Sequence, residues 1–139
     1  MVQVTVDKVG LDIESDQAIV LLKDVEGRTV LPIWVGPVEA SAIALGLQGL
    51  KAPRPLTCDL LKSIMDRLDA TMVMALVHDL RDETFFAQVV MRYQGQTHEV
   101  DSRPSDAIAL ALRCGAPIYV AEWVIERAGI PAQEDRTVH

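Results

Sequence analysis

Two short segments gather the side chains best suited to phosphate chemistry. One runs Arg54-Pro55-Leu56-Thr57-Cys58-Asp59-Leu60 and the other Asp101-Ser102-Arg103-Pro104-Ser105-Asp106. In each, an arginine stands beside a proline and an aspartate follows within a few residues. In both, polar residues crowd the start of an expected helix. Free N–H groups and the positive dipole end make such starts receptive to anions. Arginine adds a bidentate phosphate clamp, and a carboxylate can hold Mg²⁺ between water and substrate oxygens. Glu39, Asp59, Asp101 and Asp106 together form the carboxylate set from which a metal-dependent hydrolase would need two or three to converge. The same residues have a plain structural reading. Acidic and hydroxyl side chains stabilise a first turn without any ligand, and Arg103 can simply pair with Asp106 or Asp101. Spacing alone leaves both readings open.

Other reactive side chains are less well supported. Cys58, expected at the first helical position, could be a thiolate nucleophile favoured by the dipole, but no histidine is near it in sequence. His78 at a strand end and His98 within a strand could act as bases; an exposed or hydrogen-bonded strand histidine is commoner. His139 is terminal. Trp34 and Trp123 could stack on bases, although core or subunit-interface packing is the commoner use. Lys51, Arg54, Lys62 and Arg67 form a weak basic patch, opposed by Asp59 and Asp66.

The elements that must position these groups follow from periodicity. Val2, Val4 and Val6 alternate with polar residues, and the phase then slips to Val9, Leu11 and Ile13, which predicts a bulge near Asp7-Lys8-Val9-Gly10. A second strand is expected over Gln17 to Lys23 and a third over Thr29 to Trp34, short or at an edge because Pro32 lacks a donor. A helix after Gly36 carries the stripe Ile43, Leu47 and Leu50. Lys51 to Pro55 breaks it. The next helix is predicted with Thr57 as N-cap, a staple between Leu56 and Leu61, and Leu61, Ile64 and Leu68 on its buried face. Ala70 to Leu80, Glu83 to Tyr93 and Gln96 to Val100 read as a three-strand meander. A helix from Pro104 then buries Ile108 and Leu112 and stops at Gly115 and Pro117. A short strand, Ile118 to Val120, and a helical turn around Glu122 to Arg127 complete an α+β domain over residues 1–131, mostly antiparallel, with three to four helices. Residues 132–139 read as a polar, frayed tail.

Composition narrows the alternatives. The chain has 139 residues, half of them apolar, with a net charge of −7. That length and apolar content suit one domain. The negative charge opposes a protein that coats nucleic acid through a general basic surface, though not a local basic site. Two cysteines make no disulfide framework, and no Cys/His cluster has zinc-finger spacing. The start alternates apolar and polar residues, unlike a signal peptide, and the longest apolar run, Ala70 to Val77, is too short to span a bilayer. A soluble cytoplasmic protein with no membrane partner is expected.

Three segments carry a family resemblance. Leu31-Pro32-Ile33-Trp34-Val35-Gly36 through Glu39-Ala40 resembles the "LPIWIG…EA" opening of the bifunctional nuclease domain family. Arg54-Pro55-Leu56-Thr57 through Asp59-Leu60-Leu61 resembles its "RPLTHDLL" segment, and Asp101 to Ala111 its "DSRPSDAIALA" signature. Order and spacing match to about Ile130. One position departs: Cys58 stands where the family commonly has histidine. The resemblance implies nuclease activity on DNA and RNA, a compact α+β domain and a homodimer. The motif positions it carries over are Glu39, Arg54, Thr57, Asp59, Asp101, Arg103, Ser105 and Asp106. The resulting expectation is phosphodiester hydrolysis dependent on Mg²⁺ or Mn²⁺. Asp101 and Asp106 would bind the metal, with Asp59 or Glu39 completing the catalytic carboxylates; Arg54 and Arg103, with Thr57 and Ser105, would hold substrate. The rival expectation is a non-catalytic dimeric module that binds a small anion or a protein partner, its carboxylates serving as caps and salt bridges.

Overall fold

Alternating apolar residues build one eight-stranded sheet in the computed structural model, which describes residues 1–132. The elements in chain order are β1 (Val2–Asp12), β2 (Gln17–Asp24), β3 (Thr29–Val35), α1 (Pro37–Gln48), α2 (Thr57–Arg67), β4 (Thr71–Arg81), β5 (Thr84–Tyr93), β6 (Gln96–Ser102), α3 (Pro104–Cys114), β7 (Ile118–Val120), α4 (Glu122–Ala128) and β8 (Ile130–Pro131). The strand order is β6-β5-β4-β7-β1-β2-β3-β8. Only β4 and β7 run parallel. The α+β expectation and the β4–β5–β6 meander are thus observed. The predicted polar tail lies almost wholly outside the described residues.

The predicted slip in β1 is a bulge. Val6 pairs with Leu22 and Lys8 with Leu21, leaving Asp7 as the extra residue. Pro32 also behaves as its missing donor requires. Strand β3 is penultimate in the sheet, and the two-residue β8 covers only Thr29 and Val30, so the proline faces an open edge.

One face of the sheet carries the core. Val20, Leu22, Leu31 and Ile33 from one half meet Ala75, Val77, Ala87 and Val89 from the other, and α1, α3 and α4 add Ile43, Ile108 and Val124. Helix α3 is central: Ala107, Ile108, Ala109, Leu110 and Ala111 are all buried, and it packs against α1, α2, β4 and β5. Small alanines let it lie close to its neighbours while Ile108 fills the interior.

Helix α2 departs from the expected packing. Its N-cap is Leu56, and Thr57 is the first helical residue. Asp59, three residues beyond the cap, accepts the Leu56 N–H at 2.9 Å, which sets the start one residue earlier than predicted. The inward positions are Cys58 and Met65, while Leu61, Ile64 and Leu68 stay exposed, Ile64 at 48%. The physical reason is that α2 docks on α3 rather than flat on the sheet, so only a narrow stripe is covered. Likewise in the first helical stripe only Ile43 is buried. Leu47 is exposed, and Leu50 lies beyond the helix end and is exposed too.

Candidate active site

Of the three motif-bearing helix starts, those of α1 after β3 and α3 after β6 open on one cleft, and that of α2 does not. Gly36 caps α1 and Arg103 caps α3, each followed by a proline at the first helical position. Neither cap residue contributes a side-chain hydrogen bond to its helix start. The cleft has a volume of about 370 Å³ and is lined by Trp34, Glu39, Glu83, Thr84, Arg103 and Ser105, among others. In a flat sheet, β3 and β5 would lie about 24 Å apart, five strand spacings. Their meeting around one cleft means that the sheet curls strongly.

Arg103 is the centre of charge. Its Nε donates to Asp106 Oδ2 at 2.8 Å and its Nη2 to Asp106 Oδ1 at 3.1 Å, a bidentate pair across one helical turn. Nη1 reaches Glu39 Oε2 at 3.4 Å, across 64 residues of sequence. Asp106, and then Glu39, hold the guanidinium pKa above its ordinary value. The Arg103 side chain is 63% exposed, so these pairs fix its place more than they stabilise the fold. Glu39 folds back over the start of its own helix, where a side chain at Gly36 would collide with Oε1. Ser105 is the buried polar residue behind Arg103.

The structure therefore brings together Glu39, Arg103, Ser105 and Asp106. It places the remaining predicted residues elsewhere. Asp101 pairs with Gln88 on the sheet face opposite the helices, while its neighbour Ser102 pairs with buried Ala87. Asp101 is exposed and makes no ion pair among the described residues. Arg54 and Thr57 are exposed in and beside the α1–α2 connection. Asp59 sits on α2 and accepts from Arg113 Nε at 2.9 Å. The Leu56 N–H, then the Arg113 guanidinium, hold its carboxyl below the usual aspartate range despite partial desolvation. Burial pushes the Cys58 thiol up, against the pull of Arg113, so the dipole does not yield a thiolate. His98 packs near Tyr93, away from the cleft, and His78 falls at a bulge in β4.

Two contributors escape a linear reading. Glu83 enters the cleft from the β4–β5 turn, where it looks like an ordinary polar turn residue. Arg113 lies in the last turn of α3, where a cation is read as a dipole partner. Nothing local signals its partner 54 residues away.

Among the described residues no group of three or more His, Cys, Asp or Glu is placed to hold a metal ion. Glu39 and Asp106 approach each other only through Arg103. This donor set does not fit a resident ion held by protein alone.

The bifunctional nuclease domain model matches residues 20–133, and the chain belongs to that family. It is similar to Rv1829 of Mycobacterium tuberculosis, an uncharacterized protein, with 41% identity over 131 residues, 91% of this chain and 78% of that one. It is also similar to Bifunctional nuclease 1 of Arabidopsis thaliana, with 28% identity over 122 residues, 86% of this chain and 38% of the relative. Bifunctional nuclease 1 of Oryza sativa subsp. japonica is 25% identical over 122 residues, 86% of this chain and 37% of the relative. The chain thus spans well under half the length of these plant proteins. No helix among the described residues is long and apolar enough to cross a membrane.

Proposed function

We propose that the protein is a cytoplasmic, homodimeric nuclease that hydrolyses phosphodiester bonds of DNA and RNA in the cleft between the starts of α1 and α3. The observation that carries this reading is Arg103, held between Asp106 and Glu39 with its side chain still open to solvent. A guanidinium so placed takes a phosphate oxygen without losing its position. Glu39 orients the attacking water, and Asp106 keeps Arg103 aimed. Exposed Trp34 at the rim, 56% accessible, offers a stacking surface for a base. Glu39, Glu83 and Asp106 outnumber the one guanidinium, so a polyanion entering this cleft needs added positive charge. Mg²⁺ or Mn²⁺ would supply that charge if held by Glu39 and the substrate phosphate, while Asp106 stays on Arg103. The open apolar side of α2, with Leu60, Leu61, Ile64 and Leu68, supports the dimer, because a contiguous patch of this kind marks a contact surface.

The test is cleavage of labelled single-stranded DNA and RNA by highly purified protein, with Mg²⁺, Mn²⁺ or excess chelator, beside Arg103→Ala and Glu39→Gln. We expect metal-dependent cutting that falls at least about a hundredfold in either variant, in line with the loss of a charge-stabilising donor. Equal cutting by parent and variants would remove the cleft from the reaction. The same negative surplus favours a second reading, a non-catalytic module. Nucleic-acid binding absent even at low salt, with no cleavage, would establish that alternative.

A further inference from the structure

A second cavity among the described residues is roomier than the cleft. A hollow of about 630 Å³ lies between the C-terminal half of α1, the α1–α2 connection, α2 and the end of α3. Its origin is local. Helix α1 stops at Gly49 in a left-handed conformation, and Pro53 and Pro55 of the following connection line the hollow. Arg113 forms part of the wall. Its side chain is only 9% exposed, yet it is a permanent cation. Nε donates to Asp59 Oδ1 at 2.9 Å, and Nη1 donates to the Ala42 and Ala109 carbonyls at 3.0 and 3.2 Å. Nη2, with two further N–H donors, has no partner among the described residues. It is not sealed in the interior either, since every fully enclosed side-chain nitrogen and oxygen among these residues is partnered.

Lys51 and Lys62 line the same hollow, with Leu45, Leu50 and Leu112 forming apolar wall. Lys62 is bonded to Asp66 at 2.7 Å in a solvent-exposed pair, which holds it weakly and leaves it able to turn inward. Three cations thus meet two carboxylates, Asp59, engaged by Arg113 and the Leu56 N–H, and Asp66, engaged by Lys62, which leaves a net positive charge at the hollow. We infer that this hollow is a second binding site, taking a small organic phosphate whose head meets Arg113 Nη2, Lys51 and Lys62 and whose apolar body lies on the leucines. A phosphate is favoured over a carboxylate because Nε and Nη1 are spent. The remaining donors come from three separate side chains and suit a three-oxygen head rather than a planar fork. The volume lies within the range of small-molecule sites. Some 15 Å of helix separates Arg113 from Arg103 on α3, so the hollow and the cleft are distinct.

The probe is phenyl phosphate, titrated into the full-length ¹⁵N-labelled protein, with inorganic phosphate and phenol as parallel arms. We expect saturable shifts at the amides of Gly46, Gly49, Leu50 and Arg113. The double variant Lys51→Gln/Lys62→Gln, altered only at exposed side chains, should bind about tenfold more weakly or worse. Arg103→Ala should leave the affinity unchanged, which separates this site from the nuclease reading. Shifts confined to the cleft, no saturable shift, or unaltered affinity in the double variant would overturn the inference. Phenol binding as tightly as phenyl phosphate would overturn the anion, and inorganic phosphate binding as tightly would overturn the apolar body.

Discussion

Replacing Asp59 by alanine separates a structural from a catalytic role for a motif carboxylate. Two interactions disappear together. The first is the hydrogen bond from the Leu56 N–H at the start of α2, and loss of such a cap costs about 1 kcal/mol. The second is the pairing of Asp59 with Arg113. Breaking a fully buried pair costs about 3–5 kcal/mol. Here the Asp59 side chain is 36% exposed and Arg113 keeps two carbonyl acceptors, so roughly 1–2 kcal/mol remains. The sum is about 2–3 kcal/mol, or a fall in Tm of about 6–12 °C for a domain of this size. Urea denaturation at pH 7 and calorimetry measure it directly. The pH dependence has a definite sign. The Asp59 carboxyl is depressed below its ordinary value of 3.8 in the folded protein. Its contribution is therefore present above that value and is lost as pH falls through the lower folded pKa, so parent and variant should converge in acid. A loss below about 0.5 kcal/mol at pH 7, with an unchanged urea slope, would refute this account of how α2 is held.

Two further outcomes follow from packing. Gly46→Ala brings a Cβ to within 2.8 Å of Arg113 Nη1 and 3.1 Å of the Leu112 Cβ; despite a helix-propensity gain of about 1 kcal/mol, urea titration should show a net destabilisation of about 1–2 kcal/mol. Cys58 and Cys114, both raised in pKa by burial, should resist iodoacetamide at pH 7.5 in the folded state and react fully in urea; rapid native labelling of Cys58 would contradict its placement on the inward side of α2.

Much of the architecture was legible along the chain because it is written in local periodicity. The phase slip from Val6 to Val9 required a bulge, and Asp7 supplies it. Pro32 required an open edge, and β3 has one beyond β8. Prolines at 37 and 104 set the two helix starts that line the cleft. One boundary moved: the Asp59 side chain accepts from the Leu56 N–H, so Leu56 rather than Thr57 is the N-cap and α2 starts one residue earlier. The amphipathic stripe of α2 identified a helix but not its inward side, since burial depends on a partner helix rather than on the stripe itself.

By itself the sequence determined the elements, the α+β class, the family and the residue types that can meet phosphate, because each depends on short-range spacing or on motif order. Which of those residues meet was decided only by tertiary structure. Curling of the sheet joined Glu39 to Arg103 and Asp106, while strand alternation turned Asp101 to the opposite face. Packing of α3 between α1 and α2 took Asp59 away from the cleft and gave it to Arg113. Contacts across 54 and 64 residues leave no local trace, since a charge at a helix end satisfies its own turn whether or not a distant partner exists.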